Sequence, residues 1–208
     1  MPKPEIDANN KKHANKKNMN LLKRKKLMLL AFAVLLVALI ATLSVVEYRR
    51  RNLPVNPRIR VEMENGGVFV LELYPGYAPV TVRNFISLVE RGFYDGLTFH
   101  RIIDRFMAQG GCPEGTGMGN SGSTIRGEFR NNGFTRNTLR HTAGVISMAR
   151  GPSPNSASSQ FFIVLGNSPH LKGDYAAFGR VIEGMDVVEA FQTVERTYNA
   201  GGELSQPV

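Results

Sequence analysis

Arg101 is the residue of this 208-residue sequence that most needs a chemical explanation. It lies in Phe99-His100-Arg101-Ile102-Ile103, which runs on into Asp104-Arg105-Phe106-Met107-Ala108-Gln109-Gly110-Gly111. Blandly read, the segment is a buried strand, a turn and a second strand. A guanidinium is almost never fully buried without a partner. Composition leaves two readings open: a buried ion pair, or a cleft residue that offers its donors to a ligand. The guanidinium has five N–H donors and stays charged at all relevant pH, so it needs no proton transfer to act.

Other candidates are weaker. Gly117, Gly119 and Gly122 spell a literal G-x-G-x-x-G. A dinucleotide site needs that motif to leave a buried strand and open a helix. Here Pro113 and further glycines precede it and Ser123-Thr124-Ile125-Arg126-Gly127 follows, so a surface loop is the better account. Ser156, Ser158 and Ser159 lack the G-x-S-x-G elbow. Cys112 is the only cysteine, so no intrachain disulfide can form, and it would be a nucleophile only with a histidine folded against it. His100, His141 and His170 lack metal-ligand spacing, and neither metal nor cofactor is expected.

The elements that must position these residues read as mainly β. Ile59–Met63 alternates, Asn65-Gly66 is a hairpin signal, and Val68–Tyr74 forms the return strand. Residues 80–91 read as a helix, with Pro79 at its start, Val82, Phe85, Ile86 and Val89 on one stripe, and Gly92 able to cap its end. Strand-like runs follow at 97–103, 106–109, 145–149, 161–165 and 177–181, then a short helix over 185–193. Short strands with Gly-rich turns and two helices fit an antiparallel barrel closed at its ends by helices.

The net charge of +9 is unevenly placed. Residues 1–26 hold nine basic and two acidic residues, 27–57 hold three and one, and the chain from Arg58 onward holds 14 of each. A nucleic-acid binder would carry its basic face on the folded part, so no nucleic-acid partner is expected. Leu27–Val46 is 20 residues without a charge, which as a helix spans ~30 Å, the thickness of a bilayer core. It is longer than the ~7–15-residue apolar region of a cleavable signal peptide and lacks a good small-x-small site. The expectation is a signal anchor in the cell membrane. Eight basic residues over 11–26 outweigh Arg49, Arg50 and Arg51, placing the N-terminus in the cytoplasm and the C-terminal domain outside. The expected organisation is a disordered basic tail (1–26), a transmembrane helix (27–46), a linker (47–57) and one domain (58–208).

The segment 99–111 resembles the cyclophilin family. So do Ser147-Met148-Ala149-Arg150, Ser159-Gln160-Phe161-Phe162-Ile163 and Phe178-Gly179-Arg180-Val181, in the family's order and separations. Val70–Tyr74, Ala78–Phe85 and Gly92–Gly96 match as well, and the likeness covers about 59–195, most like bacterial members. It implies a closed eight-stranded β-barrel capped by two α-helices and peptidyl-prolyl cis/trans isomerase activity on proline-containing polypeptides, here assisting the folding of exported proteins. By resemblance, Arg101 is the catalytic group. Phe106, Met107, Phe162 and Leu171 form the proline pocket, Gln109 and the peptide groups of Ala149 and Arg150 bind substrate backbone, and Gln160 is a further polar residue of the cleft.

Three positions depart from the family. His170 stands where the best-known eukaryotic members carry tryptophan, so cyclosporin affinity should be weak. Tyr175 stands at the usual cleft histidine and remains able to donate a hydrogen bond. Arg150 replaces a commoner small polar residue, which should alter the preference for residues preceding proline. The sequence ends about where the family's last barrel strand begins, which would leave an exposed edge. The domain is expected to be a monomer. Two alternatives to an active isomerase are a proline-peptide-binding chaperone with weak or no catalysis, and a scaffold role for tail and anchor with the domain a passenger.

Overall fold

The computed structural model describes residues 56–198 and 203–207, together with 19, 23, 25–30, 32 and 34–44 nearer the N-terminus. The chain divides into two compact units, Met1–Val55 and Asn56–Val208. In the first, helix α1 (Lys25–Ser44) is long and apolar enough to cross a membrane. Most of the tail read over 1–26, most of the linker over 47–57, and Val45 and Val46 lie outside the described residues.

In the second unit, β1 (Arg58–Glu62) and β2 (Val68–Leu73) form the hairpin expected around Asn65-Gly66. Helix α2 (Pro79–Glu90) buries Thr81, Val82, Phe85 and Leu88. Gly92, at φ 65° just past its end, takes the left-handed conformation that lets Phe93 N–H return to the Leu88 carbonyl. Strands β3 (Arg101–Ile103), β4 (Met107–Gly110), β5 (Val145–Met148), β6 (Phe161–Val164) and β7 (Ala177–Glu183) follow. Helix α3 (Met185–Glu189) continues as a 3-10 turn over Ala190–Thr193. Two short strands, β8 (Arg196–Tyr198) and β9 (Leu204–Pro207), close the described chain.

All described pairings are antiparallel. The main sheet has the order β1-β2-β7-β5-β6-β4-β3, and β8 pairs with β9 as a separate ribbon. Where a closed eight-stranded barrel was expected from the sequence, the described residues form seven strands in one sheet, with β1 and β3 unpaired with each other at its ends, and a separate two-stranded ribbon whose β9 runs close to β3. The strand expected over 97–103 shortens to Arg101–Ile103, because Leu97–His100 enters no ladder. Phe99 instead packs its ring against Phe161 and Phe191.

Strand alternation splits the apolar residues between two cores. On one face Ile102, Ala108, Ile163 and Ile146 lie opposite one another across four strands and join Phe69, Leu71, Val82, Phe85 and Phe178 in the larger core. On the other face Met107, Val145, Phe162, Val164, Leu171 and Ala177 form a second, smaller core. Helix α2 is held from far away: the buried Glu128 carboxylate accepts Val80 N–H at 3.0 Å and Thr81 N–H and Oγ1–H at 2.8 Å. A carboxylate there satisfies orphan amides and complements the helix dipole.

Candidate active site

The ladder register aligns the candidate residues in rows. Arg101 lies opposite Gln109, Gln109 opposite Phe162, and Phe162 opposite Ser147. Ile103, Met107 and Val164 form the next row on the same face. Directly opposed residues share a face, so one apolar face of the sheet carries a guanidinium and an amide at its edge. This face floors a cleft of about 250 Å³. Arg101, Gln109, Phe106, Met107, Phe162 and Leu171 line it, and Ala149, Arg150 and Tyr175 complete the wall. Nine of the ten positions named from sequence therefore meet in one cleft.

Gln160, the tenth, is not among the lining residues. It sits behind Gln109, accepting Gln109 Nε2–H at 2.8 Å and donating from its own Nε2 to the carbonyls of Gly117 and Gly119 at 2.8 and 2.7 Å. As expected, the Gly-rich segment is a loop and forms no helix; its carbonyls anchor this relay, a role the sequence did not suggest. Gly111 is required where it packs: at φ 84°, an added Cβ would stand 2.6 Å from the Ser159 carbonyl. Cys112 is buried, with Gly117 N–H donating to its sulfur at 3.2 Å.

Arg101 is partnered, though not by burial in the strand. Its Nε and Nη2 donate to the two Glu203 carboxylate oxygens at 2.7 and 2.8 Å, and Nη1 reaches Gln109 Oε1 at 3.4 Å. Both side chains of the pair are 36% exposed. The fork geometry fixes the guanidinium plane and leaves N–H donors on Nη1 and Nη2. Both readings of Arg101 thus hold in part: it has an ion-pair partner and it lines a cleft. Glu203 was missed from sequence because it lies 102 positions away, with no motif to mark it.

The apolar wall is braced by rings. Tyr175 meets Phe162 edge-on at 5.8 Å, Phe106 packs against His170 at 5.4 Å, and His141 stacks on Phe162 at 6.2 Å. His141 Nε2 and Ser147 Oγ are 3.0 Å apart beneath Phe162. Burial pushes the His141 pKa down to about 4, so its ring is neutral at physiological pH. Burial, then the Arg101 charge, also lowers that of His100. Among the described residues no group of three or more His, Cys, Asp or Glu could hold a metal ion.

The arrangement offers a fixed cation and an amide beside an apolar, ring-lined pocket: it can bind a small apolar ring and direct donors at a polar group next to it. Comparison with known proteins places the domain that carries this cleft. A family model described as cyclophilin type peptidyl-prolyl cis-trans isomerase/CLD matches residues 58–205. Peptidyl-prolyl cis-trans isomerase B of Bacillus subtilis is 48% identical over 124 residues, covering 60% of this chain and 82% of the relative. A peptidyl-prolyl cis-trans isomerase-like 1 of Neurospora crassa is 51% identical over 123 residues, covering 59% and 73%. A Cryptosporidium parvum cyclophilin type peptidyl-prolyl cis-trans isomerase, crystallised in the presence of the dipeptide Ala-Pro, superposes with a TM-score of 0.63 at 29% identity, covering 73% of this chain and 92% of that one. The fold, the cleft and the match over 58–205 make this chain a member of the cyclophilin-type peptidyl-prolyl cis-trans isomerase family.

Proposed function

We propose that the chain is a peptidyl-prolyl cis-trans isomerase that works in the Arg101 cleft on proline-containing polypeptides and assists the folding of exported proteins outside the cytoplasm. The observation that carries the reading is the placement of a fixed guanidinium at the edge of the Phe106–Met107–Phe162–Leu171 pocket. An X–Pro amide isomerises over a barrier of ~18–20 kcal/mol, set by conjugation of nitrogen with the carbonyl. As the bond twists, the nitrogen loses conjugation and becomes a better hydrogen-bond acceptor. A donor that strengthens only then lowers the barrier, because catalysis is binding that favours the transition state. Arg101 is that donor. The pocket holds the proline ring while the carbonyl side turns, and Gln109 with the Ala149–Arg150 backbone holds the flanking peptide. Glu203 and Gln109 keep the guanidinium preorganised, so no reorganisation is needed during the step. The chemistry needs no nucleophile, metal or cofactor.

Helix α1 supports an anchored location: its 20 residues match a bilayer core at ~30 Å, and the basic residues before it favour a cytoplasmic N-terminus. His170 beside Phe106, in place of a larger indole, supports weak cyclosporin binding. The competing reading is a monomeric chaperone that binds proline segments without accelerating them, favoured by Tyr175 at the usual histidine position. Full-length protein in detergent decides between them: NMR exchange spectroscopy on an Ala–Pro tetrapeptide should show cis/trans exchange accelerated well above the spontaneous rate. Binding with no acceleration would overturn the enzyme reading. Protease added to intact cells should remove the C-terminal domain, and full protection would overturn the topology.

A further inference from the structure

Arg150 follows β5 and forms part of the cleft wall beside Ala149. Its guanidinium is held from several directions. It lies 4.9 Å from the Tyr175 ring centre and 5.2 Å from that of Phe129. Nε donates to the Asp174 carbonyl at 2.9 Å, and Nη1 donates to the carbonyls of Gly151 and Pro152 at 3.0 and 3.3 Å. Every one of these acceptors is neutral. The Asp174 carboxylate is occupied elsewhere, accepting Asn131 Nδ2–H at 2.9 Å. Among the described residues no carboxylate oxygen comes within the 4.0 Å that would pair the Arg150 charge, and Nη2 meets no acceptor.

The contrast with Arg101 matters. The cleft holds two arginines; one is matched by Glu203, while the other presents an unmatched charge and free N–H donors. Arg150 is also already ordered by its rings and carbonyls, so a ligand that engages it need not immobilise a long side chain. A carboxylate is the group that best fits such a guanidinium.

We propose that Arg150 is a specificity-determining residue and that the cleft prefers proline peptides carrying an acidic side chain one or two residues before the proline. The proposal rests on the cleft being the proline-peptide site. Its reach follows from the aromatic contacts. Phe162 walls the proline pocket, Tyr175 stands against Phe162 at 5.8 Å, and Arg150 lies over Tyr175. One ring's width therefore separates the cation from the pocket wall. A chain advances ~3.3–3.6 Å per extended residue, so a glutamate one or two positions from the proline spans that gap.

The test uses full-length protein in detergent and tetrapeptides with glutamate, glutamine or lysine at one, then two, residues before the proline. The quantity read is the ratio of kcat/KM for the glutamate peptide to that for its glutamine isostere, which cancels any general loss of activity in a variant. Wild type should favour glutamate about fivefold in the better position and disfavour lysine, as expected for a half-exposed, charge-assisted contact. The ratio should fall to about one in Arg150→Gln, survive in part in Arg150→Lys, and shrink in 0.5 M salt. A wild-type ratio of about one at both positions overturns the proposal, as does a preference that persists in Arg150→Gln, which would assign it to Arg101. Dissociation constants for the same peptides, by calorimetry, give the same ratio without catalysis. A protein that binds glutamate peptides preferentially yet isomerises none would sink the isomerase reading and uphold this one.

Discussion

Replacing Arg101 by alanine removes the one donor the proposed mechanism cannot do without, and the structure sets the size of the loss. A hydrogen bond to a charged group contributes about 1.5–3 kcal/mol, which corresponds to roughly 10- to 150-fold in rate. Arg101 is 36% exposed, so solvent screens it and the lower part of that range applies, about 10- to 50-fold. The loss should appear in kcat more than in KM, because the contact strengthens only as the amide twists. Arg101→Lys should recover little: a single ammonium cannot engage Glu203 through two nitrogens, reach Gln109 and still present a fixed donor. Folding should survive, since the Arg101–Glu203 pair is about a third exposed and such pairs are worth ~0–1 kcal/mol. The assay is NMR exchange on an Ala–Pro tetrapeptide with full-length protein, beside a denaturant midpoint for each variant. An Arg101→Ala protein that folds normally and isomerises the peptide as fast as wild type would refute the mechanism.

Phe106→Ala should raise KM about five- to tenfold while changing kcat less, because it strips ring surface from the proline pocket and no donor; a kcat-only effect would contradict that role. Glu128→Ala should lower unfolding free energy by about 2–4 kcal/mol in urea titrations, since it leaves the amides of Val80 and Thr81 and the Thr81 hydroxyl without their acceptor; a change below ~0.5 kcal/mol would show that the cap is dispensable. Stability should fall as pH drops from 6.5 toward about 4, because His141 is neutral in the fold and takes up its proton on unfolding. The loss attributable to His141 is at most ~3 kcal/mol, and a His141→Gln variant with an unchanged pH–stability slope over that window would remove His141 as its cause.

Legibility from sequence followed the range of the interactions concerned. Alternation marked the β1–β2 hairpin, and Pro79 and Gly92 bounded α2 to within a residue or two, because turn and cap preferences are local. The shortening of 97–103 to three strand residues was not legible, since apolar residues such as Phe99 can bury their rings without entering a ladder. Gln160 was read as a further polar residue of the cleft, yet it sits behind Gln109, because the loop carbonyls of Gly117 and Gly119 hold its amide, and no local pattern marks that distant pairing. Leu88 lay outside the stripe read for α2 yet is fully buried, because the helix's one buried face is centred on Thr81, Phe85 and Leu88, rotated away from Ile86.

Residue types and their spacing define the parts of this molecule. They supply an arginine inside an apolar strand, a set of apolar and aromatic residues of the right size, a 20-residue charge-free run, and basicity confined to the segment before residue 58. These are properties of residue type and spacing, and they survive without coordinates. The tertiary structure decided the partners. Glu128 reaches the start of α2 across 47 positions and Glu203 reaches Arg101 across 102, neither marked by any periodicity. The same holds for charge: Arg101 and Arg150 are equivalent cations on paper, and only packing gives one a carboxylate and leaves the other among neutral carbonyls and rings. A side chain's type sets which interactions it can make. The fold sets which of those are already satisfied, and so which remain for a ligand.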